Sequence, residues 1–68
     1  MNSIRNLTGR ELEILQLIAE GLTDKRIAEE LSMSNKTAST HRKHMLKKMN
    51  VKNTAMMVKH ALEFNLIK

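Results

Sequence analysis

The stretch Thr23-Asp24-Lys25-Arg26-Ile27-Ala28-Glu29-Glu30-Leu31-Ser32-Met33-Ser34-Asn35-Lys36-Thr37-Ala38-Ser39-Thr40-His41 decides the architecture. Thr23 is an N-cap candidate, because its hydroxyl can accept from a free amide of the first helical turn. Asp24 beside it suits the positive end of a helix dipole. Ile27, Ala28 and Leu31 then form an apolar i, i+1, i+4 stripe, which predicts a short helix over about residues 24–31. Ser32-Met33-Ser34 leaves room only for a sharp corner, and Ser34 caps a longer helix predicted over about 35–49. Two helices joined by so short a turn form a helix-turn-helix, whose second helix can enter a DNA major groove.

The flanks obey the same rules. Thr8-Gly9-Arg10-Glu11 has the capping-box spacing, and Leu12, Leu15, Ile18, Ala19 and Leu22 follow at helical intervals. Gly21 stands where a left-handed C-terminal cap is wanted, so a first helix is predicted over about 9–20. Asn50-Val51-Lys52 interrupts the pattern downstream, and Asn53 caps a fourth helix over about 54–65. Proline is absent, glycine occurs twice, and no alternating strand pattern persists. The expected fold class is all-α, a four-helix helix-turn-helix domain spanning residues 1–68.

Composition narrows the function classes. A chain of 68 residues makes one small domain, which buries only about 60% of the surface its unfolded form exposes. There is no cysteine, which excludes disulfides and thiolate-bound zinc, and the single aromatic, Phe64, removes stacking platforms for single strands. No apolar run approaches the roughly 18 residues of a membrane span, and no signal-peptide pattern is present. These features imply a soluble domain of a reducing, cytoplasmic compartment without a membrane partner.

The formal charge of +5 hides a segregation. Residues 1–31 carry Arg5, Arg10, Lys25 and Arg26 against Glu11, Glu13, Glu20, Asp24, Glu29 and Glu30, four bases against six acids. Residues 31–62 contain no acid, yet hold Lys36, Arg42, Lys43, Lys47, Lys48, Lys52 and Lys59. Such a block suits a polyanion, with nucleic acid ahead of an anionic membrane surface. An ordinary solvated basic surface is the plainer reading.

Successive residues of a helix are turned by about 100° from one another, which sorts the third helix into two sides. Ala38, Met45 and Met49 fall together on one side with Leu46 at its edge, which makes them the buried stripe. Ser39, Lys43, Lys36, Lys47 and Thr40 share the outer side, in that angular order. That face mixes short hydroxyls with lysines and has no carboxylate, so it can approach a groove closely. Lysines reach phosphates or guanine edges, while Ser39 and Thr40 lie low enough for base edges. The free amides at the starts of the second and third helices, near Thr23, Lys25, Ser34 and Thr37, add two sites suited to phosphate oxygens.

The ordered series from Leu7-Thr8-Gly9-Arg10-Glu11 through Gly21-Leu22-Thr23-Asp24-Lys25 and Thr37-Ala38-Ser39-Thr40-His41 to Leu46-Lys47-Lys48-Met49 and Leu66-Ile67 resembles the LuxR-type helix-turn-helix. This is the NarL/FixJ and GerE-like DNA-binding domain of bacterial transcription regulators. The resemblance covers nearly the whole chain. It implies double-stranded DNA as partner, a third helix in the major groove, and a homodimer formed on DNA through the fourth helix. It puts base reading on Ser39, Thr40 and Lys43, the residues the wheel selects independently, and phosphate contacts on Thr23, Lys25, Ser34, Thr37, Arg42 and Lys47, to which the wheel adds Lys36. Three positions depart from the family's pattern. Gly9 stands where proline is frequent, leaving that helix start more prone to fray. Ala38 stands where valine is usual, and Ser39 where lysine is common, which implies an altered site preference.

His41 and His44 could suggest a metal pair, but no further ligand accompanies them, so neither a metal nor another cofactor is expected. His41 reads as a hydrogen-bonded packing residue. No nucleophile–base pair or paired carboxylates are legible, so the chain is not expected to be an enzyme. In the fourth helix Met57, Ala61 and Phe64 fall on one flank, read as core. Ala55, Val58 and Leu62 fall on the other, read as the meeting face of a two-fold dimer. A broadly buried fourth helix is the alternative. Two rival functions stay open: a sigma-factor-like promoter module, and a basic, Met-rich helical module for an acidic protein partner or anionic surface. A stand-alone regulator and one domain of a longer parent chain with a regulatory domain are both compatible with the sequence.

Overall fold

A computed structural model of the chain describes residues 7–67. Residues 1–6 and Lys68, the ends of the expected domain, lie outside the described residues, as does Arg5 of the charge count. Four helices follow in order, α1 (Gly9–Ala19), α2 (Asp24–Glu30), α3 (Asn35–Met49) and α4 (Thr54–Glu63), with no strand among the described residues.

Every helix starts on a side-chain cap. Thr8, Thr23, Ser34 and Asn53 each accept from the amide three residues on, at 2.9 to 3.2 Å. Such a cap is worth about 1 kcal/mol. At α1 the box is complete, because the Thr8 amide also donates to Glu11 Oε1 at 2.9 Å.

Every helix also ends in one way. Gly21, Ser32, Asn50 and Asn65 adopt positive φ, at 93°, 56°, 56° and 57°. The amide of the next residue, Leu22, Met33, Val51 or Leu66, then reaches back five residues to a carbonyl at 2.8 to 3.1 Å. All four of those residues pack against the core. This is the Schellman ending with its apolar contact. It shortens three helices relative to expectation, which close at Ala19, Glu30 and Glu63 rather than 20, 31 and 65. Gly21 is legible as such an ending. Ser32 stands in the expected corner and Asn65 at the expected end of the fourth helix, but without a glycine neither announces the left-handed turn.

The core consists of Ile14, Leu15, Ile27, Ala28, Ala38, Met45, Met49, Met57, Ala61 and Ile67. The α3 stripe is as the wheel has it, with Leu46 half-buried beside it. Two expectations need correction. Of the expected α1 stripe, Leu15 is buried and Ile18, Ala19 and Leu22 pack on the core, but Glu11 and Ile14 complete the inward face and Leu12 instead lines a surface groove with Gly9 and Leu31. A carboxylate at the middle of that face misplaces the stripe. Phe64 does not enter the core but is 53% exposed. The helix stops before it, and the turn at Asn65 sends Leu66 and Ile67 inward in its place.

Candidate nucleic-acid interface

The helix-turn-helix corner is set by Ser32 in the left-handed region and by Met33, which packs below it on the core. Ser34 then starts α3. Its hydroxyl accepts from the Thr37 amide at 3.0 Å and donates to Thr37 Oγ1 at 2.9 Å. Thr37 is exposed, and its own hydroxyl proton has no acceptor among the described residues. Thr23 is equally exposed; its oxygen accepts from the Arg26 amide at 3.2 Å. The Thr23 hydroxyl can therefore donate outward while it caps, and the Thr37 hydroxyl can do so while it accepts from the Ser34 cap, as a phosphate oxygen requires.

Along α3, Lys36, Thr40, Lys43 and Lys47 are exposed and Ser39 is half-buried beneath them. None of these lysines makes an ion pair with the described residues. Lys25 is exposed on α2. The expected contact residues Thr23, Lys25, Ser34, Lys36, Thr37, Ser39, Thr40, Lys43 and Lys47 thus lie at the surface or just under it. Arg42 does not share their situation. Its Nη2 donates to Asp24 Oδ2 at 2.8 Å and its Nη1 to Thr54 Oγ1 at 3.3 Å, beside a cleft of about 340 Å³ that Thr23 and Lys25 also line. The wheel held the signal, since Arg42 is four positions after Ala38, just over one turn, and so falls on the inner side.

Lys48 is likewise turned inward. Its Nζ donates to Glu11 Oε1 at 2.7 Å, and Glu11 is 3% exposed. Burial pushes the Glu11 carboxyl up, but the hydrogen bonds from Lys48 and the Thr8 amide, with the Lys48 charge, pull it down further. The group ends below its ordinary value. Five cations of the acid-free block, Lys36, Lys43, Lys47, Lys52 and Lys59, stay exposed. On the other half, Arg26 pairs with Glu29 and Glu30 and Arg10 with Glu13, all on the surface, where such pairs are worth little.

His41 is half-buried, in keeping with a position at the border of the buried stripe, but the expected side-chain hydrogen bond does not occur among the described residues. No group of metal-ligating side chains occurs among them, and no described helix is long and apolar enough to cross a membrane. On α4, Met57 and Ala61 are buried, Val58 is half-buried against the core, and Ala55 and Leu62 are exposed.

A capped helix-turn-helix that turns a cationic, carboxylate-free helix face outward defines a DNA-binding regulator domain, and comparison with known proteins gives the family. Residues 5–61 match the bacterial regulatory proteins of the luxR family, and the chain belongs to it. Its fold matches the solved structure of the transcription factor GerE with a TM-score of 0.87 at 31% identity, covering 91% of this chain and 92% of that one. It is 49% identical over 61 residues to the uncharacterized response regulatory protein YgeK of Escherichia coli K12, and 46% identical over 63 residues to the oxygen regulatory protein NreC of Staphylococcus carnosus. It is also 43% identical over 61 residues to the transcriptional regulatory protein MctR of Rhizobium johnstonii. These matches take in 90%, 93% and 90% of this chain, but only 42%, 29% and 28% of the relatives. The family is one of DNA-binding transcription regulators, not of enzymes.

Proposed function

We propose that the chain recognises a specific double-stranded DNA sequence by laying α3 in the major groove, with Ser39, Thr40 and Lys43 toward base edges. Thr23, Lys25, Ser34, Lys36, Thr37 and Lys47 hold the phosphates on either side. The observation that carries this reading is the outer face of α3, where Lys36, Lys43 and Lys47 stand exposed without a carboxylate partner. Ala55, Val58 and Leu62 of α4 form the contact of a two-fold dimer on DNA, supported by the exposure of Ala55 and of Leu62, 51% accessible. The working protein is a cytoplasmic transcription regulator, and the part of each relative beyond the match is where a regulatory domain belongs.

Selection of bound sites from a random duplex library tests the reading, since it returns motif, symmetry and half-site spacing together. Against the selected site, Lys43→Ala lowers discrimination by about 1–3 kcal/mol, whereas Lys25→Ala weakens all duplexes alike and flattens the salt slope. Equal losses on selected and random DNA for Lys43→Ala would remove its base-reading role. Sedimentation with a two-half-site duplex tests the dimer, and a strict 1:1 complex would exclude it. Binding that follows anionic lipid or an acidic protein, and ignores DNA sequence, would favour the rival interaction module.

A further inference from the structure

We infer that Arg42 is a positioning residue for sequence reading, a strut joining the first turns of α2 and α4 to α3, and not a phosphate ligand. The inference rests on the proposed reading of α3 as the base-contacting helix. Asp24 and Thr54 are the first residues of α2 and α4, so the bonds at 2.8 and 3.3 Å tie three helices through one guanidinium. The two charged side chains are only 34% and 28% exposed, and the third nitrogen, Nε, is buried without a hydrogen-bond partner. One N–H of each terminal nitrogen is therefore engaged within the protein. A phosphate approaching from the cleft would meet a guanidinium whose charge the Asp24 carboxylate already offsets.

The strut complements the Lys48–Glu11 contact and the core packing that hold α3. Its buried stripe is Ala38, Met45 and Met49, one small knob and two flexible side chains. Such a stripe fills space without specifying how far the helix is rolled about its axis. A planar guanidinium gripping two partners does specify it. Arg42 directly precedes Lys43 and lies two residues after Thr40, so a roll of α3 moves the proposed base-reading side chains together. Core atoms near the axis move least. Loss of the strut should therefore blur sequence reading more than it weakens general DNA attraction.

The test measures affinity for the library-selected duplex and for a scrambled one across salt concentration, with thermal melts confirming that each variant is folded. Arg42→Met retains the packing stem and Asp24→Ala removes the partner. Each should lower the selected-to-scrambled ratio by about five- to tenfold, and the double variant by no more than the worse single one. On scrambled DNA the salt slope of Arg42→Met should stay at the wild-type value, where loss of a phosphate ligand would reduce it by about 0.9. The inference is overturned if Asp24→Ala tightens both duplexes while Arg42→Met flattens the slope. It is equally overturned if the melts fall but the ratio holds, which would make the bridge a stabiliser alone. Lys43→Ala in the same titrations separates the two levels. If it lowers the ratio and the strut variants do not, only the strut fails; if none lowers it, base reading by α3 fails with it.

Discussion

The two sides of α3 put the same chemistry to opposite uses. The helix carries Lys36, Arg42, Lys43, Lys47 and Lys48 and no acid. Three of these cations point away from the core and stay unpaired among the described residues. The other two, Arg42 and Lys48, flank the buried stripe on its two sides. Arg42 reaches Asp24 and Thr54, and Lys48 reaches Glu11, so α3 is braced toward α2 and α4 on one edge and toward α1 on the other. A basic block is thus not a uniform surface. Its electrostatic meaning depends on angular position, and part of the charge that suggests a polyanion is neutralised inside the fold.

Lysine-to-methionine changes at equal chemistry test that contrast. Lys48→Met leaves a nearly buried Glu11 carboxylate without its cation. It should lower unfolding stability by about 1–2 kcal/mol, less than a fully buried pair because Lys48 remains one-third exposed. Urea denaturation at neutral pH measures it, and an unchanged midpoint would remove the inner cation's distinct role.

Acidity sharpens the same contrast from the other partner. The Glu11 pKa is lowered by folding, so its contribution is fully present above the ordinary carboxylate value of about 4.3 and is lost as pH falls through the lower folded value. Wild type should lose stability over that interval by more than Glu11→Gln, whose side chain does not titrate. Parallel curves of urea midpoint against pH for the two proteins would contradict this assignment. The smallest effect belongs to the outer face. Lys47→Met should change stability by less than about 0.5 kcal/mol, yet reduce the salt slope of DNA binding by about 0.9. A stability loss matching that of Lys48→Met would erase the distinction between the two sides.

Much of this arrangement is legible from residue order. Thr8, Thr23, Ser34 and Asn53 announce helix starts because a short polar side chain can bond its own backbone locally, with no help from the rest of the fold. The α3 stripe follows from a strict helical period, and the outer lysines follow from the stripe. The endings are harder, because Ser32 and Asn65 adopt left-handed backbone that serine and asparagine do not require. The pairing of each with a following apolar residue, Ser32-Met33 and Asn65-Leu66 like Gly21-Leu22, is the available signal. Glu11 and Phe64 mislead for one reason. Polarity places a side chain only on average, while Glu11 gains a cation 37 positions away and Phe64 is carried outward by where its helix stops.

The sequence by itself determined four helices, a three-residue corner between the second and third, and a cationic face free of carboxylates. Capping, period and charge count are properties of neighbours along the chain. Tertiary structure decided which cations belong to that face. Whether Arg42 and Lys48 meet Asp24 and Glu11 depends on helices distant in sequence arriving at one place, and packing of Ile14, Ile27, Met45 and Met57 around a common core brings them there. Once they meet, a carboxylate partner holds each of two cations against the fold despite the desolvation cost, and the lysines that remain outside form the carboxylate-free face.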